Sequence, residues 1–167
     1  MISPPLFESA HVPLLYEGAV ANLISEFKFD ASPRAGNVLL ELFLTRSPAR
    51  FPQALLPVPL HSARARERGF NQAYWLARQL GAEFDLPLVY GKRTSNTQSQ
   101  RPLGRRERFK NMRGAFAVPD KVPAHLVIVD DVLTTGSTAH ALACAAREAG
   151  AITVDVWAMA RTKPVHG

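Results

Sequence analysis

The sequence has 167 residues, 47% of them apolar, which suits one ordinary domain with room for a sizeable core and argues against a multidomain chain. Twenty Lys and Arg against 14 Asp and Glu give a formal charge of +6, which favours anionic partners such as phosphates or nucleic acid. A single cysteine, Cys144, excludes an intramolecular disulfide or a cysteine-rich zinc cluster; no apolar stretch approaches the ~18 residues of a membrane span; and Met1 to Ala10 lacks the basic start and apolar core of a signal peptide, so a soluble, cytoplasmic protein is expected.

In chain order, Val20, Leu23, Ile24 and Phe27 recur at helical spacing, and Val38, Leu39, Leu42 and Phe43 do so again after Pro33, a good first-turn residue, so two helices open the chain. The short apolar run Ala54 to Val58 predicts a strand, followed by a loop and a helix carrying Ala73, Trp75, Leu76 and Leu80. Further strands are expected at Pro87 to Tyr90, Ala115 to Val118, His125 to Val129 (fully buried) and Ile152 to Ala160. A helix over Ala139 to Ala149 ends at Gly150, a good C-cap. Strands alternating with helices predict an α/β fold, a mostly parallel sheet flanked by helices, with residues 1–50 as an amino-terminal helical segment packed on a core formed by 51–167. No internal repeat is visible, which argues against solenoids and propellers.

Charge is unevenly placed. Residues 61–116 hold twelve Lys or Arg against four acids, a window of +8 in a chain whose remainder is −2. Within it, Arg93 to Arg113 is polar and then basic, with almost no apolar residue to anchor it. The expectation is a long mobile loop with a helical turn or two near Arg105 to Asn111. A solvated face is the plainer reading of such a charge run.

The most informative segment is Val127-Ile128-Val129-Asp130-Asp131-Val132-Leu133-Thr134-Thr135-Gly136-Ser137-Thr138. A buried strand ends in two carboxylates, a turn of small hydroxyl residues surrounds Gly136, and a helix follows. In an open α/β sheet, ligands sit beyond the carboxyl ends of the strands, where this turn must lie. Its backbone N–H groups and the helix N-terminus form an anion site, Gly136 lets the main chain approach a phosphate, and Thr135, Ser137 and Thr138 add hydroxyl donors. Carboxylates repel phosphate, so a ligand with vicinal hydroxyls near its phosphate, a ribose 5-phosphate, resolves the combination. Plainer readings compete: Asp131 ending a strand and Ser137 capping a helix, a Walker B strand, or a receiver-domain acid pair. A Walker B assignment lacks its G-x-x-x-x-G-K-[ST] partner, and a receiver domain would place the acids near the first strand.

Val127 to Thr138 closely resembles the signature for 5-phosphoribosyl-1-diphosphate (PRPP) in type I phosphoribosyltransferases. Pro57-Val58-Pro59-Leu60-His61 with Arg68-Gly69-Phe70-Asn71-Gln72 resembles the hallmark of the ComF competence group (ComF/GntX). Gln100, Leu103, Arg108 and Asn111 running on to Gly114-Ala115-Phe116 fall at that group's spacing. The resemblance covers roughly residues 54–160; the first fifty resemble the family only loosely, through Ile24 to Phe29 with Lys28 among them. It implies that residues 51–167 form a type I phosphoribosyltransferase-like domain. Asp130 and Asp131 would hold the ribose hydroxyls, Thr134, Thr135, Gly136, Ser137 and Thr138 the 5-phosphate, and Pro59, Leu60, His61 and Ser62 the pyrophosphate. Magnesium would be carried by PRPP itself, with no protein metal ligands. The loop from Arg93 to Arg113 would close over the site, with Arg101, Arg105 and Arg108 as the catalytic cations at the departing pyrophosphate.

Two departures from the pattern stand out. Purine-type members place an acid where this sequence has Thr134, whereas the orotate type tolerates threonine. ComF relatives typically begin with a four-cysteine zinc segment, which one cysteine excludes here, so the chain is either a short form or begins after that segment. The family is tied to uptake of single-stranded DNA in natural transformation. In that light Arg64, Arg66, Arg68, Arg105, Arg106, Phe109 and Lys110 form an expected nucleic-acid track, with Phe70, Tyr74 and Trp75 as further stacking candidates, although Phe70 and Trp75 have apolar neighbours that favour a core role. His11, His125, His140 and His166 show no metal-ligand spacing, and Cys144 reads as a small core residue. The function expected is a ComF-type protein that binds PRPP and magnesium, binds single-stranded DNA and works with other DNA-uptake proteins. The alternative is a catalytically active phosphoribosyltransferase of nucleotide salvage.

Overall fold

The computed structural model describes residues 5–60, 69–94 and 114–163. Two short strands, β1 (Ala10–His11) and β2 (Leu14–Leu15), precede helices α1 (Gly18–Phe29) and α2 (Pro33–Leu44). Then come β3 (Ala54–Pro57), α3 (Gln72–Phe84), β4 (Lys92–Arg93), β5 (Phe116–Ala117), β6 (His125–Leu133), α4 (Ser137–Glu148) and β7 (Thr153–Arg161). Strand order is β1-β7-β6-β3, with β2 also on β7, and every pairing in this sheet is parallel. β4 and β5 form a separate antiparallel ribbon. This is the α/β architecture expected from the alternation of strands and helices.

The central strand shows why the sheet needs cover on both sides. Along β6, Leu126 and Ile128 join Leu56, Leu142, Val154 and Val156 in one apolar layer, while Val127 and Val129 join Ile24, Phe27, Leu39, Phe43, Leu76 and Trp157 in the other. Successive side chains point to opposite faces, so a strand apolar at every position must be buried twice. α4 covers the first face; α1, α2 and α3 cover the second. Pro33 in the first turn and Ser32, whose Oγ accepts from the Ala35 N–H at 3.2 Å, set the start of α2. Where α1 and α2 meet, a Cβ on Gly36 would come within 2.6 Å of the Phe27 ring, so only glycine allows this approach.

Several sequence expectations need adjustment. Pro87 to Tyr90 forms a single bridge, Leu55 to Leu88, rather than a strand. Pro87 has no N–H to donate; the Leu55 N–H donates to Pro87 O at 2.9 Å and the Val89 N–H to Leu55 O at 2.8 Å, and the pairing stops there. β6 runs on past Val129 through both aspartates to Leu133, because β7 remains beside it up to the Leu133 to Arg161 pair. α4 begins at Ser137, two residues before the expected Ala139, with Gly136 as its N-cap at φ 75°. Trp75 packs against Phe27 with ring centroids 5.3 Å apart, a core role, and Phe70 does the same at 5.3 Å.

At the amino end of the sheet a buried carboxylate ties three elements together. Asp155 of β7 accepts from Ser9 Oγ at 2.6 Å and Arg50 Nη2 at 3.0 Å, and pairs with His125 Nε2 at 2.8 Å. Burial alone would raise its pKa, but the hydrogen bonds from Ser9 and His125 and the charge of Arg50 outweigh that and hold the carboxyl below its ordinary value. The aspartate lies between Ser9 and His125, so the histidine has no serine to deprotonate and the group acts as a clamp.

Candidate functional site

The site is assembled at the carboxyl ends of β3 and β6. The chain leaving β3 is held by the Val58 N–H donating to Val129 O at 2.9 Å and by Asn71 Nδ2 donating to Val58 O at 3.2 Å. Asn71 also starts α3, its side chain accepting from the Tyr74 N–H at 3.0 Å. Gln72, 2% exposed, donates to Lys28 O at 3.1 Å. That carbonyl lies in the last turn of α1, where a helix has no internal donor left, so Gln72 both satisfies it and fixes the end of α1 against α3. The Asn71-Gln72 pair thus positions the loop after β3 and the residue Lys28.

Lys28 Nζ lies 3.1 Å from Asp131 Oδ2, with side chains 24% and 13% exposed. Asp130, partly buried, sits beside them; burial and then the neighbouring Asp131 carboxylate push its carboxyl well above the usual range, against the pull of Lys28. The Asp131 N–H donates to Asp130 Oδ1 at 2.9 Å and the Val132 N–H to Asp131 Oδ1 at 2.7 Å, which fixes both side chains at the strand end. The arrangement is one carboxyl whose ionisation burial disfavours, beside a second carboxyl that has an ammonium 3.1 Å away. The cation offsets negative charge that two adjacent aspartates alone would place there.

Pro59, Leu60, Asp130, Asp131 and Thr138 line one cavity of about 180 Å³ together with Lys28 and Arg93. The structure thus joins the expected pyrophosphate loop, as far as Leu60, to the acid pair and to the first turn of α4. Thr134, Thr135, Gly136 and Ser137 form the adjoining turn but are not on the wall of this cavity. Thr135 Oγ1 and Ser137 Oγ are 2.9 Å apart, and the Ser137 N–H reaches Thr135 Oγ1 at 3.4 Å. The φ of 75° makes Gly136 a backbone requirement, since a Cβ there would meet only the Phe7 ring, at 3.6 Å. His61, Ser62, Arg64, Arg66, Arg68, Arg101, Arg105, Arg106, Arg108, Phe109 and Lys110 lie outside the described residues, as does most of the expected loop.

Sequence reasoning missed three contributors. Lys28 reaches the site from the amino-terminal helix, and its signals in the sequence are a cation inside an apolar helical stretch and the loose family resemblance of Ile24 to Phe29, neither of which gave it a role at the site. Gln72 is a buried polar residue in a recognised motif whose physical role becomes visible only with α1 in place. Arg93, expected as the start of a loop, belongs to β4, where its guanidinium lies 5.4 Å from the Phe116 ring centroid. Among the described residues no group of three His, Cys, Asp or Glu side chains could hold a metal ion, and no helix is long and apolar enough to cross a membrane.

By fold and site this is an α/β protein with an acid pair and a helix N-terminus at the carboxyl ends of a parallel sheet. No protein-family model matches the chain. Among curated proteins it is 37% identical over 118 residues to competence protein F of Haemophilus influenzae, covering 67% of this chain and 52% of that protein, so it spans about half of that relative's length. It is 35% identical over 171 residues to the DNA utilization protein YhgH of Shigella flexneri, covering 95% of this chain and 74% of that one. The chain belongs to the ComF competence family. Adenine phosphoribosyltransferase from Leishmania tarentolae aligns with it at a TM-score of 0.47 and 10% identity, over 95% of this chain and 94% of that one.

Proposed function

We propose that this chain binds PRPP with its magnesium at the carboxyl ends of β3 and β6 and acts in DNA uptake, where it takes single-stranded DNA. The observation that carries the ligand half is the meeting of Asp130 and Asp131 with Pro59, Leu60 and Thr138 in one cavity. The acid pair accepts from the vicinal ribose hydroxyls, the turn from Thr134 to Thr138 donates to the 5-phosphate, and the loop from Pro59 takes the pyrophosphate. Lys28 keeps the acids from repelling those phosphates. Magnesium rides on the ligand's own oxygens and waters, in keeping with its reluctance to lose its water shell. Arg101, Arg105 and Arg108 neutralise the pyrophosphate. The DNA half is supported by the names of the relatives, competence protein F and DNA utilization protein, and by the +8 window of residues 61–116.

Calorimetric titration with PRPP and magnesium, alone and after adding single-stranded DNA, tests both halves. Asp130→Asn combined with Asp131→Asn is expected to weaken PRPP at least about tenfold, because the ribose hydroxyls lose their carboxyl acceptors, the Asp131 bond being charge-assisted. Unchanged affinity in that variant removes the site assignment.

A further inference from the structure

Beside the acid-pair cavity, and sharing Pro59, Leu60 and Asn71 with it, lies a second and larger cleft of about 410 Å³. Its volume is in the range of sites that take small organic ligands. Tyr74 of α3 and Tyr90, which leads into β4, both line it. Their ring centroids are 5.9 Å apart with the planes tilted by 45°, and the residues are 36% and 58% exposed. Neither belongs to the two core layers, which α3 serves through Ala73, Leu76, Ala77 and Leu80. Two large aromatic rings left at the rim of a concave surface are more than scattered exposure.

The charges around the cleft select its occupant. Among the described residues no acidic side chain lines it. The exposed Arg78 places its guanidinium 6.0 Å from the Tyr74 ring centroid, and the exposed Lys92 directly follows the lining residue Gly91. Aromatic faces inside with cations outside suit a planar base whose backbone phosphates run along the rim. The cleft and the neighbouring cavity share Pro59, Leu60 and Asn71, so a strand lying in the cleft would pass beside the proposed PRPP site.

We propose that the cleft between Tyr74, Tyr90 and the Pro59–Leu60 loop seats one unpaired base of single-stranded DNA. This rests on the DNA half of the proposed function and adds to it where a base, as distinct from a phosphate, is held. Stacking discriminates a base from its absence and tolerates any base identity, whereas the surrounding arginines and lysines respond to phosphate alone.

Fluorescence anisotropy with the whole chain, a labelled oligothymidylate and an abasic oligonucleotide of equal length separates the two contributions across a salt series. Wild type is expected to prefer the thymidylate by about fivefold or more, the lower end of what one stacked base contributes. Tyr74→Ala with Tyr90→Ala removes that preference and leaves the salt slope unchanged; Tyr74→Phe with Tyr90→Phe keeps it, because the rings remain. Equal binding of the two oligonucleotides by wild type, or a preference that survives the alanine pair, overturns the cleft as a base seat while the DNA reading stands. Absence of binding to either oligonucleotide overturns the DNA reading itself. Free thymidine that competes as well as the oligonucleotide reassigns the cleft to a small-molecule base and overturns the proposal.

Discussion

Replacing Lys28 by Met tests whether the amino-terminal helix contributes charge or only packing to the acid pair. At 3.1 Å the Lys28–Asp131 attraction is about 5 kcal/mol gross with an effective dielectric near 20. The partners are 24% and 13% exposed, so desolvation and solvent screening offset most of that, and a net loss of about 1–3 kcal/mol is expected at neutral pH. Methionine keeps the length and apolar stem of the side chain, which isolates the ammonium. Without it, the Asp131 carboxyl loses its cation beside Asp130, whose carboxyl is already pushed upward by burial and by that neighbour. The cost of Lys28→Met should therefore shrink when the Asp131 carboxyl is replaced by an amide. Urea unfolding at pH 7.5 measures it, and adding Asp131→Asn to Lys28→Met should recover most of the loss. No recovery in the double variant refutes the electrostatic role and leaves Lys28 as a packing residue.

Two further predictions concern carboxylates whose environments act in opposite senses. Asp130 has a raised folded-state pKa, so its contribution is present below the unfolded value and is lost as pH rises through the folded one; Asp130→Asn should stabilise the protein by about 1 kcal/mol at pH 8, with little gain near pH 4. A lower urea midpoint for the variant at pH 8 would show that ionised Asp130 is net stabilising. Asp155 has a lowered pKa, so its contribution is present above the unfolded value of about 3.9 and is lost as pH falls through the folded one. Asp155→Asn should cost about 3 kcal/mol at pH 7 by leaving Arg50 and His125 without a carboxylate, and should flatten the acid limb of the stability profile; a midpoint shift of less than about 0.5 kcal/mol equivalent would mean that Ser9, Arg50 and His125 find other partners.

The parts of the fold legible in the sequence are those whose signal is local. α1 and α2 show their apolar stripes at helical period, β6 and β7 their apolar runs from Leu126 to Val129 and from Val156 to Ala160, and the turn at Gly136 its small residues, because each pattern is set within a dozen positions. β1 and β2 escaped because a two-residue strand has no periodicity; their existence depends on the free edge of β7, nearly 150 residues away in sequence for Ala10 and Val156. Pro87 to Tyr90 has strand-like composition but meets β3 at one bridge only, an outcome fixed by Pro87 and the edge position. Within the site, the Asp-Asp end of β6 and the loop from Pro59 were legible as motifs. The Lys28 to Asp131 pair was not, since nothing near either residue announces a partner more than 100 positions away.

That pair also answers the difficulty posed by two acids preceding a turn proposed to hold a phosphate. Were both aspartates ionised and unpaired, an anion at the start of α4 would face two negative charges from the adjoining strand end, and the favourable field of the helix N-terminus would be cancelled. Burial disfavours ionisation of Asp130, and Lys28 sits 3.1 Å from Asp131, so the carboxyl groups keep their hydrogen-bonding oxygens while a cation offsets their charge. The cation comes from α1, and its placement depends on the Gln72 contact to the Lys28 carbonyl. The amino-terminal helices are therefore part of the site's electrostatics as well as cover for the sheet. A chain trimmed to the strand-and-turn motif alone would present an acid pair hostile to the phosphate proposed for the neighbouring turn.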